Sequence, residues 1–194
     1  VLTVRTANLV DRCGVNPWNI LAITFTNKAA KEMRERILNT VQSEASSIWV
    51  ATFHATCVRI LRRFADRIGY DSRFSIYDSD DARAVMKQIV KERQLETRFL
   101  KLRQFCSAVS NAKNCLISCD DYAQMISTNP DHPKLADAYR TYQEILKRDN
   151  AMDFDDLICN TVQLFRQDEE VLSYYQDRFR YIMVDEYQDT NNAQ

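Results

Sequence analysis

An α/β fold is predicted for this 194-residue chain, and three features of the sequence predict it. Two short apolar runs, residues 20–25 (ILAITF) and 48–53 (IWVATF), are each followed at once by an amphipathic segment. That is the strand–helix–strand–helix rhythm of a parallel sheet. A long stretch from Asp78 to Phe179 then carries only helical periodicity. A last apolar run, residues 180–184 (RYIMV), returns as a strand and ends in Asp185-Glu186. The order implies a parallel sheet interrupted by an inserted all-α subdomain. Residues 1–77 form the first part of the sheet domain, 78–166 the helical insertion and 167–194 the return.

Each element has a local reason. Residues 2–12 read as a helix anchored by Leu2, Leu9 and Val10 and stopped near Gly14. The chain opens inside this helix with no cap residue before it, which points to a cut. After the first strand, Ala29, Ala30, Met33, Ile37 and Val41 fall on one helical stripe. After the second, Cys57, Val58, Leu61, Phe64, Ala65 and Ile68 do the same, and Gly69 ends the helix. Asp78 or Ser79 caps a helix bearing Val85, Met86, Ile89 and Val90. Residues 99–112, beginning at Phe99, form the next, and Ser118-x-x-Asp121 opens a short one. Pro133 suits the first turn of a helix with Leu135, Tyr139, Tyr142 and Leu146 inward. Asp153 caps a helix carrying Leu157, Ile158, Leu164 and Phe165, and residues 171–179 form the last.

Composition narrows the function. The chain is 45% hydrophobic and 27% charged, as soluble globular proteins are. No run approaches the roughly 18 apolar residues of a membrane span, and the first residues do not read as a signal peptide. Glycine occurs only twice, at Gly14 and Gly69, so the sequence holds no glycine-rich phosphate loop. The net charge of −1 hides an asymmetry: residues 1–70 carry ten basic and five acidic side chains, whereas residues 114–194 carry seven and sixteen. A polyanion would meet the first part, although scatter over solvated helix faces accounts for the counts equally well. The six cysteines read as reduced thiols of a cytosolic protein. Cys115 and Cys119 are spaced to share a helix face, but no histidine completes a zinc set.

Chemistry concentrates at the strand ends. Tyr181–Val184 delivers two adjacent carboxylates, Asp185 and Glu186, at the edge of a parallel sheet where ligands sit. An acid there suits Mg²⁺ through water, and a second suits activation of a water nucleophile. A strand ending in a solvated turn gives the same letters. Thr24, Thr26 and Asn27 stand where a strand ends and a helix begins, which offers hydroxyls, an amide and free N–H groups to phosphate. Phe25 and Phe53 read either as rings for a nucleobase or as buried strand residues. Lys28 reads as a phosphate contact or a solvated lysine. His54 reads as a donor to phosphate or sugar, or as a histidine bonded to its own backbone. Arg59, Arg62, Arg63 and Arg67 form a basic stripe or a solvated face. The tyrosines at 122, 139, 142, 174 and 175 read as core or half-core rather than as a base-stacking platform, and Asp155 and Asp156 as acids favoured by a helix start.

Taken together, TFTNKAA (24–30), TFHA (52–55), MDFDDL (152–157) and VDEYQDTN (184–191) resemble the UvrD/PcrA/Rep family of superfamily-one DNA helicases. The resemblance runs the length of the chain, in order. Tyr187 stands where the family usually has Phe, with a ring that can still pack, and Ala55 where it more often has Gly. The resemblance implies an incomplete P-loop NTPase (RecA-like) sheet. It also implies ATP and Mg²⁺ as nucleotide and metal, with Asp185 holding Mg²⁺ through water, Glu186 activating water and Gln188 coupling nucleotide to DNA. Thr24, Phe25, Thr26, Asn27, Lys28, Thr52, Phe53 and His54 would contact single-stranded DNA. The partners implied are single strands and single-strand/duplex junctions, in a bacterial cytoplasmic, nucleoid-associated enzyme that translocates 3′–5′ in repair and replication. In the family a GxxxxGK[ST] loop stands just before the opening helix. The chain therefore reads as an internal fragment that is no ATPase alone and has exposed sheet edges. The alternatives are a non-hydrolysing DNA- or protein-binding module and the motor of an AddA/RecB-type helicase–nuclease.

Overall fold

The computed structural model describes residues 1–41, 45–97 and 100–194. In chain order it contains α1 (Leu2–Ala7), continued by a π turn at Asn8–Arg12, then β1 (Ile20–Thr24), α2 (Asn27–Thr40), β2 (Trp49–Thr52) and α3 (Phe53–Phe64). There follow β3 (Ser75–Tyr77), α4 (Ser79–Glu92), α5 (Leu102–Asn114), α6 (Cys119–Gln124) and α7 (His132–Arg148). The chain finishes with β4 (Ala151–Asp153), α8 (Phe154–Gln167), α9 (Glu169–Arg178) and β5 (Tyr181–Val184). Phe99, the expected first residue of the α5 helix, lies outside the described residues.

Two compact units divide the chain: Val1–Ile60 with Leu164–Thr190, and Leu61–Gln163 with Asn191–Gln194. The first unit holds a three-stranded parallel sheet in the order β2-β1-β5. Every residue of β1 is buried, which is why ILAIT reads as a continuous apolar run rather than an alternating one. Val10, Ile20, Ala22, Met33, Ile37 and Met183 share one core there, so the stripe expected on α2 meets β1 and β5. Side chains of this kind contribute roughly 1.5–3 kcal/mol each when fully buried. On β5, Ile182 and Tyr181 remain 59% and 40% exposed.

The second unit is mainly helical. Met86, Ile89, Phe105, Val109, Tyr139 and Leu146 form the centre of its core, drawn from α4, α5 and α7. The expected caps are present. The Asp78 carboxylate accepts from the Asp80 and Asp81 N–H groups, and Ser118 Oγ accepts from the Asp121 N–H. Gly69 takes φ +73°, the left-handed geometry that ends the α3 region. Periodicity alone gives only helices after Asp78, yet β4 lies at Ala151–Asp153 and pairs in parallel with β3. Three residues are too few to show a period of two, and this strand is buried throughout. Asn150, at φ +47°, makes the turn from α7 into it. Among the described residues, no helix is long and apolar enough to cross a membrane.

Candidate functional site

The C-terminal ends of β1, β2 and β5 lie along one edge of the sheet, because the three strands are parallel and closely registered. Thr24 stands opposite Thr52, and Ile23 opposite Val184. Helices begin at two of these ends. Thr26 Oγ1 accepts from the Ala29 N–H at 3.1 Å and caps α2; Thr52 Oγ1 accepts from the Ala55 N–H at 3.1 Å at the start of α3. Both hydroxyls still carry a proton to donate. Asn27 and Lys28 occupy the exposed first turn of α2, where backbone N–H groups lack intrahelical partners. Thr24 is 3% exposed, so its side chain belongs to the sheet and not to the surface. The Phe25 and Phe53 rings meet at 5.5 Å, tilted by 58°. Phe53 is buried, whereas Phe25 is half-buried and keeps some ring free. His54, also half-buried, is the second residue of α3.

At the third end, the Asp185 N–H donates to the Ile23 carbonyl at 2.8 Å, which carries the ladder one residue beyond β5. Asp185 is thus fixed at its backbone, and the residue is half-exposed. Glu186 takes φ +52°, ψ +45°. A left-handed conformation costs a non-glycine residue roughly 1–2 kcal/mol, so the reversal of direction after Asp185 is held by its surroundings. The Asp189 N–H donates to Glu186 O at 2.9 Å and closes the turn, while Gln188 Nε2 donates to the Glu186 carboxylate. Thr190 Oγ1 donates back to Tyr187 O at 2.7 Å. The Tyr187 ring is 71% exposed, so packing does not hold it as the sequence suggests.

One edge therefore gathers an acid pair, two helix starts and a half-exposed aromatic. Along the whole sequence, residues 1–194 match the family model described as "UvrD/REP helicase N-terminal domain".

This chain belongs to the UvrD/REP helicase family.

Its relatives include a protein named "ATP-dependent DNA helicase PcrA" from Staphylococcus aureus, 50% identical over 194 residues. One of the same name from Staphylococcus epidermidis is also 50% identical over 194 residues. Both alignments cover 100% of this chain and 26% of the relative, so the chain spans about a quarter of their length.

The family implies Mg²⁺, and the donor set fits it: one carboxylate, on the half-exposed Asp185, leaving the remaining positions to water and phosphate. Among the described residues, no group of three or more His, Cys, Asp or Glu side chains is placed to hold a metal. Cys115 and Cys119 do not share a helix face, because Cys115 follows the end of α5 and Cys119 opens α6.

Other residues of this helicase-family chain take roles that the sequence does not show. Arg59 lies over the Trp49 ring at 3.9 Å. Arg62 lies over Phe74 at 3.8 Å and donates to Ser72 O and Phe74 O. Of the four arginines read as a basic stripe or a solvated face, Arg59 and Arg62 thus stack on aromatic rings, and Arg63 lies over the Phe64 ring at 5.0 Å. Tyr139, Tyr142 and Tyr175 are buried, as their spacing indicates.

Asp156, expected as a helix-start acid, is 1% exposed. Lys113 Nζ reaches Asp153 at 2.7 Å and Asp156 at 2.8 Å, and Tyr142 OH donates to Asp153 at 2.8 Å. The signal for this cluster lay in the sequence: Lys113 continues the apolar stripe of Phe105 and Val109 on α5. A lysine on such a stripe requires buried acids.

Proposed function

We propose that this chain is part of the motor of an ATP-dependent DNA helicase that translocates 3′–5′ on single strands and acts on single-strand/duplex junctions. The observation that carries the reading is the alignment of Thr24, Thr52 and Asp185 on one sheet edge, in a chain 50% identical throughout to a PcrA helicase. Mg²⁺, held by Asp185 through water, would neutralise charge on the phosphates. Glu186 accepts the proton of the attacking water; its exposed carboxylate and the Gln188 amide bonded to it suit that task. Gln188, touching Glu186, links the acid pair to the loop beyond it. Thr26, Asn27, Lys28 and the first-turn N–H groups of α2 receive DNA phosphates. Phe25 offers a base its free ring, with Phe53 buttressing it. Thr24 and Thr52 set the strand ends, and His54 donates to phosphate or sugar.

Work in repair and replication, in a bacterial cytoplasm near the nucleoid, follows from the same reading. So does the chain's own lack of turnover, since it contains no glycine-rich phosphate loop. The test is Glu186→Gln in the complete polypeptide. DNA-stimulated ATP hydrolysis is expected to fall by about 10²-fold or more with ATP binding retained. Unchanged turnover would reject the assignment. Turnover by the 194-residue chain itself would reject the inactive-segment reading.

A further inference from the structure

We propose that a cleft lined by α7 and α8 is a binding site for a neutral carboxamide, held by Gln143 and Asn160. The inference goes beyond the helicase reading and does not depend on it.

The cleft lies within the second unit and has a volume of about 750 Å³, the size of a small-molecule site. Gln143, on α7, and Asn160, on α8, both line it. Asn160 is 7% exposed. Its Nδ2 is cut off from solvent and, among the described residues, has no hydrogen-bond partner. The same holds for Gln143 Oε1. The Gln143 amide cannot turn over to relieve this, because its Nε2 donates to Asp156 Oδ1 at 3.1 Å and an ionised carboxylate only accepts. A buried donor and a buried acceptor left unmet are costly. A group that brings an acceptor and a donor together is therefore favoured between them.

The rest of the cleft selects a neutral group. Arg140 is paired with Asp120 at 3.1 Å, and Arg148 with Asp149 at 2.9 Å. Lys147 Nζ donates to Ile68 O at 2.8 Å and lies over the Tyr70 ring at 3.5 Å. These cations already have partners, so an anion gains little from them. Burial pushes the Tyr70 phenol up to about 12, so it is uncharged at neutral pH. Asn160 is near enough to ease that shift, yet no hydrogen bond joins it to Tyr70. A carboxamide meets this set: its oxygen accepts from Asn160 Nδ2 and its NH₂ group donates to Gln143 Oε1.

The test is ligand-observed NMR on the complete polypeptide, with acetamide and acetate as probes, followed by soaking of its crystals. Acetamide is expected to bind about tenfold more tightly than acetate, which has no donor for Gln143 Oε1. Asn160→Leu keeps the volume of the side chain and should weaken acetamide about fivefold, the effect of one lost hydrogen bond. If that variant does not fold, the wild-type crystal decides, because acetamide should stand between Gln143 and Asn160 there. The tripeptide Gly-Gln-Gly and nicotinamide separate the two sources of the group. Tighter binding of the tripeptide assigns a side chain of a partner protein, and tighter binding of nicotinamide assigns a small molecule. Acetate that binds as well as acetamide, binding unmoved by Asn160→Leu, or a soaked crystal in which a water alone bridges Gln143 and Asn160 each overturns the proposal.

Discussion

Lys113 and Asp156 form an ion pair at 2.8 Å in which both side chains are 1% exposed. Asp153 completes the cluster, so one ammonium faces two carboxylates away from water. Burial works against the Lys113 charge, but Asp156 and Asp153 outweigh it and raise its pKa. Lys113→Ala would leave two buried acids without a counter-charge. A loss of about 3–5 kcal/mol is expected on thermal or urea denaturation. Lys113→Met combined with Asp153→Asn and Asp156→Asn should recover most of it, because the isolated charges and not the missing pair cause the loss.

The same cluster gives stability a pH dependence. Burial pushes Asp156 up to about 6, with Lys113 opposing and Asp153 adding to the rise. The folded state therefore holds this proton more tightly than the unfolded chain. Its contribution is complete below the ordinary value of 3.8 and is lost as pH rises through about 6. Asp156→Asn should gain on the wild type between about pH 4 and 7, by roughly 1–3 kcal/mol at about 1.4 kcal/mol per pKa unit. Burial favours the neutral form of Asp153 too, but Lys113 holds that carboxyl below its usual range, so its contribution is lost on acidification instead. The melting temperature of Asp153→Asn should therefore lie below wild type throughout this range, with the deficit shrinking only below the ordinary value of 3.8, whereas that of Asp156→Asn should lie above it.

Arg178 lies over Trp18 at 3.5 Å and Trp49 at 4.5 Å, and it is 8% exposed. These are the chain's two tryptophans, so both emitters of its tryptophan fluorescence lie against Arg178. Arg178→Ala should shift the emission to the red and cost about 2 kcal/mol. Arg178→Lys should recover only part, because an ammonium cannot lie flat between two rings.

If the α2 start receives phosphates, Lys28→Ala in the complete polypeptide should weaken single-strand binding to all sequences alike. The slope of log affinity against log salt should drop by about 0.7. An unchanged slope would place Lys28 in solvent.

Much of the fold was legible because its signals are local. The Ile20–Thr24 run reads as a strand since it is buried throughout, and Thr26, Asp78 and Ser118 announce helix starts through side-chain oxygens that reach their own next turn. The acid pair was legible for the same reason: an apolar strand ends and two carboxylates follow. The β3–β4 pair was not, because a three-residue buried strand has no periodicity of its own and exists only through its partner.

The sequence by itself determined the parallel α/β unit, the helical block and the strand ends that carry the candidate site. Each depends on residues near one another in the chain. Only the tertiary structure decided what lies against what. It turned Asp156 from a helix-start acid into the buried partner of Lys113, 43 residues away, and laid Arg178 across two tryptophans. It also brought the Asn191 amide to donate to Asn114 Oδ1, 77 residues away. Burial makes an unpaired charge or amide costly, and only the folded chain determines which distant group satisfies it.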